Sequence, residues 1–113
     1  YMTSDAFRYF ISKLKAKNYT YDLLLLPHQL HEALDLVHDF PNQKFVIDHL
    51  AKPYIKDQDF TAWKADMAHF KHMPNVYVKF SGLVTEAKWD DWYWDDFSQV
   101  METTFDVFGA KRI

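Results

Sequence analysis

Apolar residues recur along this chain in two alternating rhythms. Phe7, Phe10, Ile11 and Leu14 fall at i, i+3, i+4 and i+7, which predicts an amphipathic helix over Ser4–Lys17. Ser4 or Asp5 suits its N-cap, and Lys13, Lys15 and Lys17 complement its carbonyl end. Tyr19–Leu26 then predicts a strand apolar on both faces and stopped by Pro27. Leu30, Ala33, Leu34 and Val37 return to helical spacing until Phe40-Pro41-Asn42. Phe45–His49 predicts a second strand. Phe60, Trp63, Met67 and Phe70 mark a helix closed by Met73-Pro74-Asn75. Val76–Ser81 predicts a third strand with Gly82 at its end. Phe97, Val100, Met101, Phe105 and Phe108 mark a last helix with Gly109 at C′.

The predicted order is therefore α-β-α-β-α-β-α. Strands separated by helices of this length imply right-handed crossovers and a parallel sheet, so the fold class is α/β. A three-stranded parallel sheet on its own leaves both outer strands as open edges. A complete (β/α)8 TIM barrel needs roughly 250 residues, and this chain has 113. The expectation is a single segment, residues 1–113, of such a barrel, incomplete at both ends. An opening at Tyr1 points the same way. The rest of the barrel, or a homo-oligomer, is expected to cover the sheet edges.

Composition narrows the function classes. A hydrophobic share of 49% with 26% charged residues is that of a globular chain. The longest apolar run, Leu23–Pro27, is too short to cross a bilayer, and no signal-peptide pattern opens the chain. No membrane partner is expected. The absence of cysteine excludes disulfides and thiolate metal sites and fits a cytoplasmic setting. A net charge of −3 without a basic stripe gives nucleic-acid binding no electrostatic support.

Candidate chemistry gathers where strands end. In Phe45–His49 the side chains of Phe45, Ile47 and His49 are predicted on one face. If that face is a barrel interior, His49 enters the mouth, where an imidazole can move a proton or bind a divalent metal. Asp48 then points the other way, as a supporting carboxylate. The plain alternative is a strand-end histidine hydrogen-bonded to a loop. In the third strand Tyr77, Lys79 and Ser81 share a face, and Val76, Val78 and Phe80 suit packing under helices. Lys79 can hold a substrate carboxylate or polarise a carbonyl, or simply pair with a neighbouring acid. His28 directly follows a strand and is a candidate for the same rim. The His28/His31 and His69/His72 pairs have helical spacing, but no acidic third ligand is in register with the latter, which reads as surface. Trp89, Trp92, Tyr93 and Trp94, interleaved with aspartates, read as core or rim packing, with one tryptophan free to line a pocket. Phosphate-loop, dinucleotide and serine-hydrolase motifs are absent.

Two strings carry a family resemblance. Asp48-His49-Leu50-Ala51-Lys52-Pro53 and Lys79-Phe80-Ser81-Gly82-Leu83-Val84-Thr85-Glu86-Ala87 resemble the amidohydrolase-related lactonases, as do Tyr21-Asp22-Leu23-Leu24 and Pro27-His28-Gln29-Leu30. That family includes lactonases of L-fuconolactone, L-rhamnonolactone and pyrone dicarboxylate. The resemblance implies a (β/α)8 barrel and assigns the strands here as the fifth, sixth and seventh. It implies a catalytic role for His49, at the lactone carbonyl or on a metal such as zinc if the full-length enzyme binds one. It implies substrate contacts for Lys79 and Ser81, and for His28 and Lys52 at the same rim.

The family's first-strand histidines, its fourth-strand Gly-x-Arg-His region and its eighth-strand aspartate have no counterpart here. That aspartate is the implied base, taking a proton from the water that attacks the lactone. The isolated 113 residues are therefore expected to lack lactonase activity. Two other readings stay open. One is metal-dependent amide hydrolysis or decarboxylation on the same barrel, and the other a non-catalytic carbohydrate-binding or assembly module.

Overall fold

A computed structural model describes all residues, Tyr1–Ile113. Helices α1 (Asp5–Leu14), α2 (Leu30–Asp39), α3 (Thr61–Ala68) and α4 (Asp95–Phe108) alternate with strands β1 (Tyr21–Leu23), β2 (Phe45–Ile47) and β3 (Val76–Val78). The strands are parallel in the order β1-β2-β3, as the spacing predicts. Their register aligns Tyr21, Phe45 and Val76, then Asp22, Val46 and Tyr77, then Leu23, Ile47 and Val78. The outer edges of β1 and β3 have no strand partner.

The helices cover one face of the sheet. Leu23, Phe45, Ile47, Val76 and Val78 are buried with Ile11, Leu36, Trp63, Met67 and Val100 in one core. The first strand differs from expectation here. Leu23 and Leu25 are buried, but Leu24 is 64% and Leu26 43% exposed. No second layer in this chain packs on their face, so the run is apolar on both sides but covered on one.

Local chemistry explains most element ends. The Ser4 hydroxyl accepts from the Phe7 N–H at 3.4 Å and caps α1. Asn18, at φ 55, takes the left-handed conformation that ends the following 3-10 turn. Arg8 and Asp39 tie α1 to α2 by an ion pair. In α4 the core stripe includes Thr104 rather than Phe105, which is 49% exposed and lies against Phe80. A threonine is tolerated there because its hydroxyl donates to the Val100 carbonyl at 2.7 Å. No helix is long and apolar enough to cross a membrane.

Candidate active site at the strand ends

Burial of Phe45 and Ile47 under the helices fixes the alternation of β2. Val46 and Asp48 therefore belong to the helix-free face, with Asp22, Tyr77 and Lys79. This reverses the expectation for β2, in which Phe45 and Ile47 faced inward and Asp48 outward. For β3 the expected faces stand: Val76 and Val78 are buried, and Tyr77 and Lys79 lie opposite.

His49 reaches the mouth by a different route from strand alternation. His49, Leu50, Ala51 and Lys52 have φ of 51, 56, 56 and 52, a full left-handed turn without glycine. Each such residue costs roughly 1–2 kcal/mol, so the turn persists only because its surroundings hold it. Leu50 and Ala51 are wholly buried, the Trp63 indole N–H donates to the Leu50 carbonyl at 2.8 Å, and the Lys52 N–H donates to His49 O at 2.9 Å. The turn swings the imidazole across to the end of β3, where His49 Nδ1 and Ser81 Oγ are hydrogen-bonded at 2.9 Å. Nε2 has no partner among the hydrogen bonds of the chain.

Gly82 forms the floor under that ring. Its φ is +72, and a Cβ added there would stand 3.0 Å from His49 Cβ and Nδ1 and 3.1 Å from Cγ. Backbone conformation and close approach thus both demand glycine. Gly82→Ala is expected to displace the imidazole from Ser81 and to lower turnover of the full-length protein roughly 100-fold. The loss of fold stability should be only about 1–2 kcal/mol. Steady-state kinetics and thermal unfolding on the same variant check both numbers, and full activity would show that the ring position is unimportant.

A second group occupies the same end of the sheet. The Lys79 ammonium lies 2.6 Å from Asp22 Oδ2 and 2.6 Å from Asp48 Oδ1. The contact to Asp22 is an aligned hydrogen bond, whereas the buried Asp48 Oδ1 has the ion pair alone. These carboxylates, Asp22 foremost, raise the Lys79 pKa above its ordinary 10.5, so the ammonium stays charged at neutral pH. Beside it, Lys52 Nζ is 3.8 Å from Glu86 Oε1, linking the loops that follow β2 and β3. His28 is exposed on the turn after β1 and makes no hydrogen bond with the group.

Asp22 is the residue that sequence reasoning missed. Its signal was present: it is the single charged residue in the otherwise apolar Tyr19–Leu26 run. The aromatic run follows the rim reading rather than the core one. Trp89, Trp92, Tyr93 and Trp94 are all exposed, Trp92 packs edge-on against Phe97, and Trp89 is the tryptophan that lines the gap between the loops after β2 and β3. A cleft of about 820 Å³ separates the two loops, with Tyr54, Lys56, Thr85, Glu86 and Trp89 in its lining. No three His, Asp or Glu side chains converge to hold a metal. The two carboxylates closest to a metal-site arrangement already bracket an ammonium, so these residues alone do not fit a metal centre.

The amidohydrolase family profile matches residues 2–113. The chain belongs to the amidohydrolase family. It is 31% identical over 112 residues to the L-fucono-1,5-lactonase of Burkholderia multivorans, an alignment covering 91% of this chain and 38% of that enzyme. It is 32% identical over 71 residues to the L-rhamnono-gamma-lactonase of Scheffersomyces stipitis, covering 55% and 21%. The chain thus spans well under half the length of these relatives. A crystal structure of an amidohydrolase from Burkholderia multivorans with bound zinc superposes with a TM-score of 0.89 at 29% identity, over 98% of this chain and 41% of that one. The fold of this amidohydrolase chain is accordingly a part of a (β/α)8 barrel. In such a barrel the helices lie outside, so the face of Asp22, Asp48 and Lys79 is the interior.

Proposed function

We propose that the full-length amidohydrolase opens a sugar-derived lactone by water attack on the ring carbonyl. The observation that carries this reading is the His49–Ser81 pair beside a positively charged Lys79, at the carboxyl ends of adjacent strands. The names of the relatives favour a sugar lactone as substrate.

In this reading the Ser81 hydroxyl donates to His49 Nδ1, which places the ring proton on Nε2. Nε2–H then donates to the carbonyl oxygen as negative charge develops there. One ammonium hydrogen of Lys79 is committed to Asp22 while Asp48 is paired by charge, which leaves an ammonium hydrogen free for a substrate oxygen. The attacking water bonds to the carbonyl carbon, the ring C–O bond breaks, and the leaving oxygen takes a proton. The product is a hydroxy acid, ionised at neutral pH. Asp22 and Asp48 are engaged in holding the Lys79 ammonium and are not assigned as the base in this reading. The base lies beyond residues 1–113 in this reading, as do most ligands of any divalent metal such as zinc. Further strands of the barrel close the free edges of β1 and β3. His28 and Lys52 line the rim and touch the outer part of the substrate.

The test is a substrate panel on the full-length protein, followed by proton release. Hydrolysis of L-fucono-1,5-lactone or a related sugar lactone is expected. Inactivity on every lactone together with amide hydrolysis or decarboxylation would replace this reading with another chemistry of the same fold.

A further inference from the structure

The charge of the interior group has a consequence for what it selects. Asp22 and Asp48 contribute two negative charges and Lys79 one positive charge, all within 2.6 Å contacts. The neighbouring Lys52–Glu86 pair is neutral as a unit. We propose that the Asp22–Lys79–Asp48 group is a specificity determinant that admits a neutral sugar and disfavours the same sugar bearing a carboxylate. This rests on the lactonase reading and deepens it, because hydrolysis converts a neutral ring ester into an anion.

The geometry sets the sign. A carboxylate approaching the free N–H of Lys79 meets one cation and, only slightly farther off, two anions. Attraction and repulsion nearly cancel. A neutral carbonyl or hydroxyl oxygen uses the same N–H without a net charge to be repelled. The two acids also orient the ammonium, as Asp22 sits diagonally across β2 from Lys79 and Asp48 beside it. In this segment the side chains of Asp22 and Lys79 are about half exposed, and in a barrel they stand at the strand ends where the mouth admits solvent, so the field is screened and the discrimination is modest. A single charge removed at this range changes the affinity of an anion about five-fold.

Removing that charge in Asp22→Asn is the experiment, on the full-length protein. Calorimetry compares binding of L-fuconate with binding of the neutral polyol L-fucitol, and needs no turnover. Asp22→Asn is expected to tighten L-fuconate about five-fold relative to L-fucitol, and 0.5 M NaCl should erase most of that gain. Asparagine keeps the size and the acceptor oxygen of Asp22, and Asp48→Asn serves as the second variant with the same expected sign. An unchanged ratio in both variants, or failure of either probe to bind, overturns the inference. A shifted ratio in a protein that hydrolyses no lactone would keep the charge filter and remove the lactonase reading. Hydrolysis with an unshifted ratio would do the reverse.

Discussion

Replacing His49 by asparagine is expected to lower lactone turnover by the full-length amidohydrolase between roughly a hundred- and ten-thousand-fold. The choice of asparagine matters. At φ 51 most L residues are strained, but asparagine is among the few that visit this region readily. Leu50, Ala51 and the Trp63–Leu50 hydrogen bond still hold the turn, so unfolding should occur within about 0.5 kcal/mol of the parent. What disappears is the imidazole: the Nε2–H that in the proposed reaction stabilises the oxyanion, and the ring whose Nδ1 meets Ser81 Oγ. Ser81→Ala keeps the ring but frees its tautomer, and should fall between the two. Unimpaired hydrolysis by His49→Asn would take His49 out of the chemistry and leave Lys79 as the one electrophilic group that this segment supplies.

Changing Arg112 to methionine should destabilise the fold by about 2–4 kcal/mol while leaving kcat untouched below the unfolding transition. The guanidinium donates to five carbonyls. Nη1 reaches Phe70, Met73 and Val76 at 3.0, 2.9 and 3.3 Å, and Nη2 reaches Lys71 and Val107 at 3.1 and 2.6 Å. The carbonyls of Phe70 and Met73 also accept from the Met73 and Val76 N–H groups, and one planar fork ties this turn to the end of α4 and the start of β3. The group also stacks 5.0 Å over the Phe108 ring. Burial lowers its pKa without neutralising it at physiological pH. Methionine keeps the apolar contact and removes the side-chain donors, leaving Phe70 and Met73 with their backbone partners alone. Lysine should not rescue the loss, because a point-like ammonium cannot span both helices. A lowered urea midpoint at constant slope is the measurement. No change in midpoint would mean that water caps these carbonyls as well as Arg112 does. Arg112 meets the start of β3, the end of the strands remote from His49, which is why stability and chemistry should separate.

Periodicity made the architecture legible. Helical stripes such as Phe7-Phe10-Ile11-Leu14 and the short β-rich runs are local patterns, and alternation of the two types allows few topologies. The strings Asp48–Pro53 and Lys79–Ala87 were also legible as a family resemblance, and the family profile agrees with it. Neither source, however, determined which face of β2 looks inward. A strand with apolar residues at Phe45, Val46 and Ile47 gives alternation nothing to choose between, and His49 drew the inward assignment toward its own parity. In the structure Phe45 and Ile47 are fully buried beneath the helices, and Asp48 takes the inner face.

The sequence alone determined the α/β class, the parallel sheet and the segment's place in a barrel, and it singled out His49, Ser81 and Lys79 as candidates for the chemistry. The class and the sheet follow from local spacing, whereas the place in the barrel and the candidate residues rest on the family resemblance of the Asp48–Pro53 and Lys79–Ala87 strings. The tertiary structure decided how these residues meet. A left-handed turn of His-Leu-Ala-Lys has no sequence signal, since it contains no glycine or asparagine and exists only through the burial of Leu50 and Ala51 and the hydrogen bond from Trp63. The Asp22–Lys79–Asp48 contact joins residues 57 positions apart in its longer span. Such a pairing depends on strand register, which only the packed sheet sets.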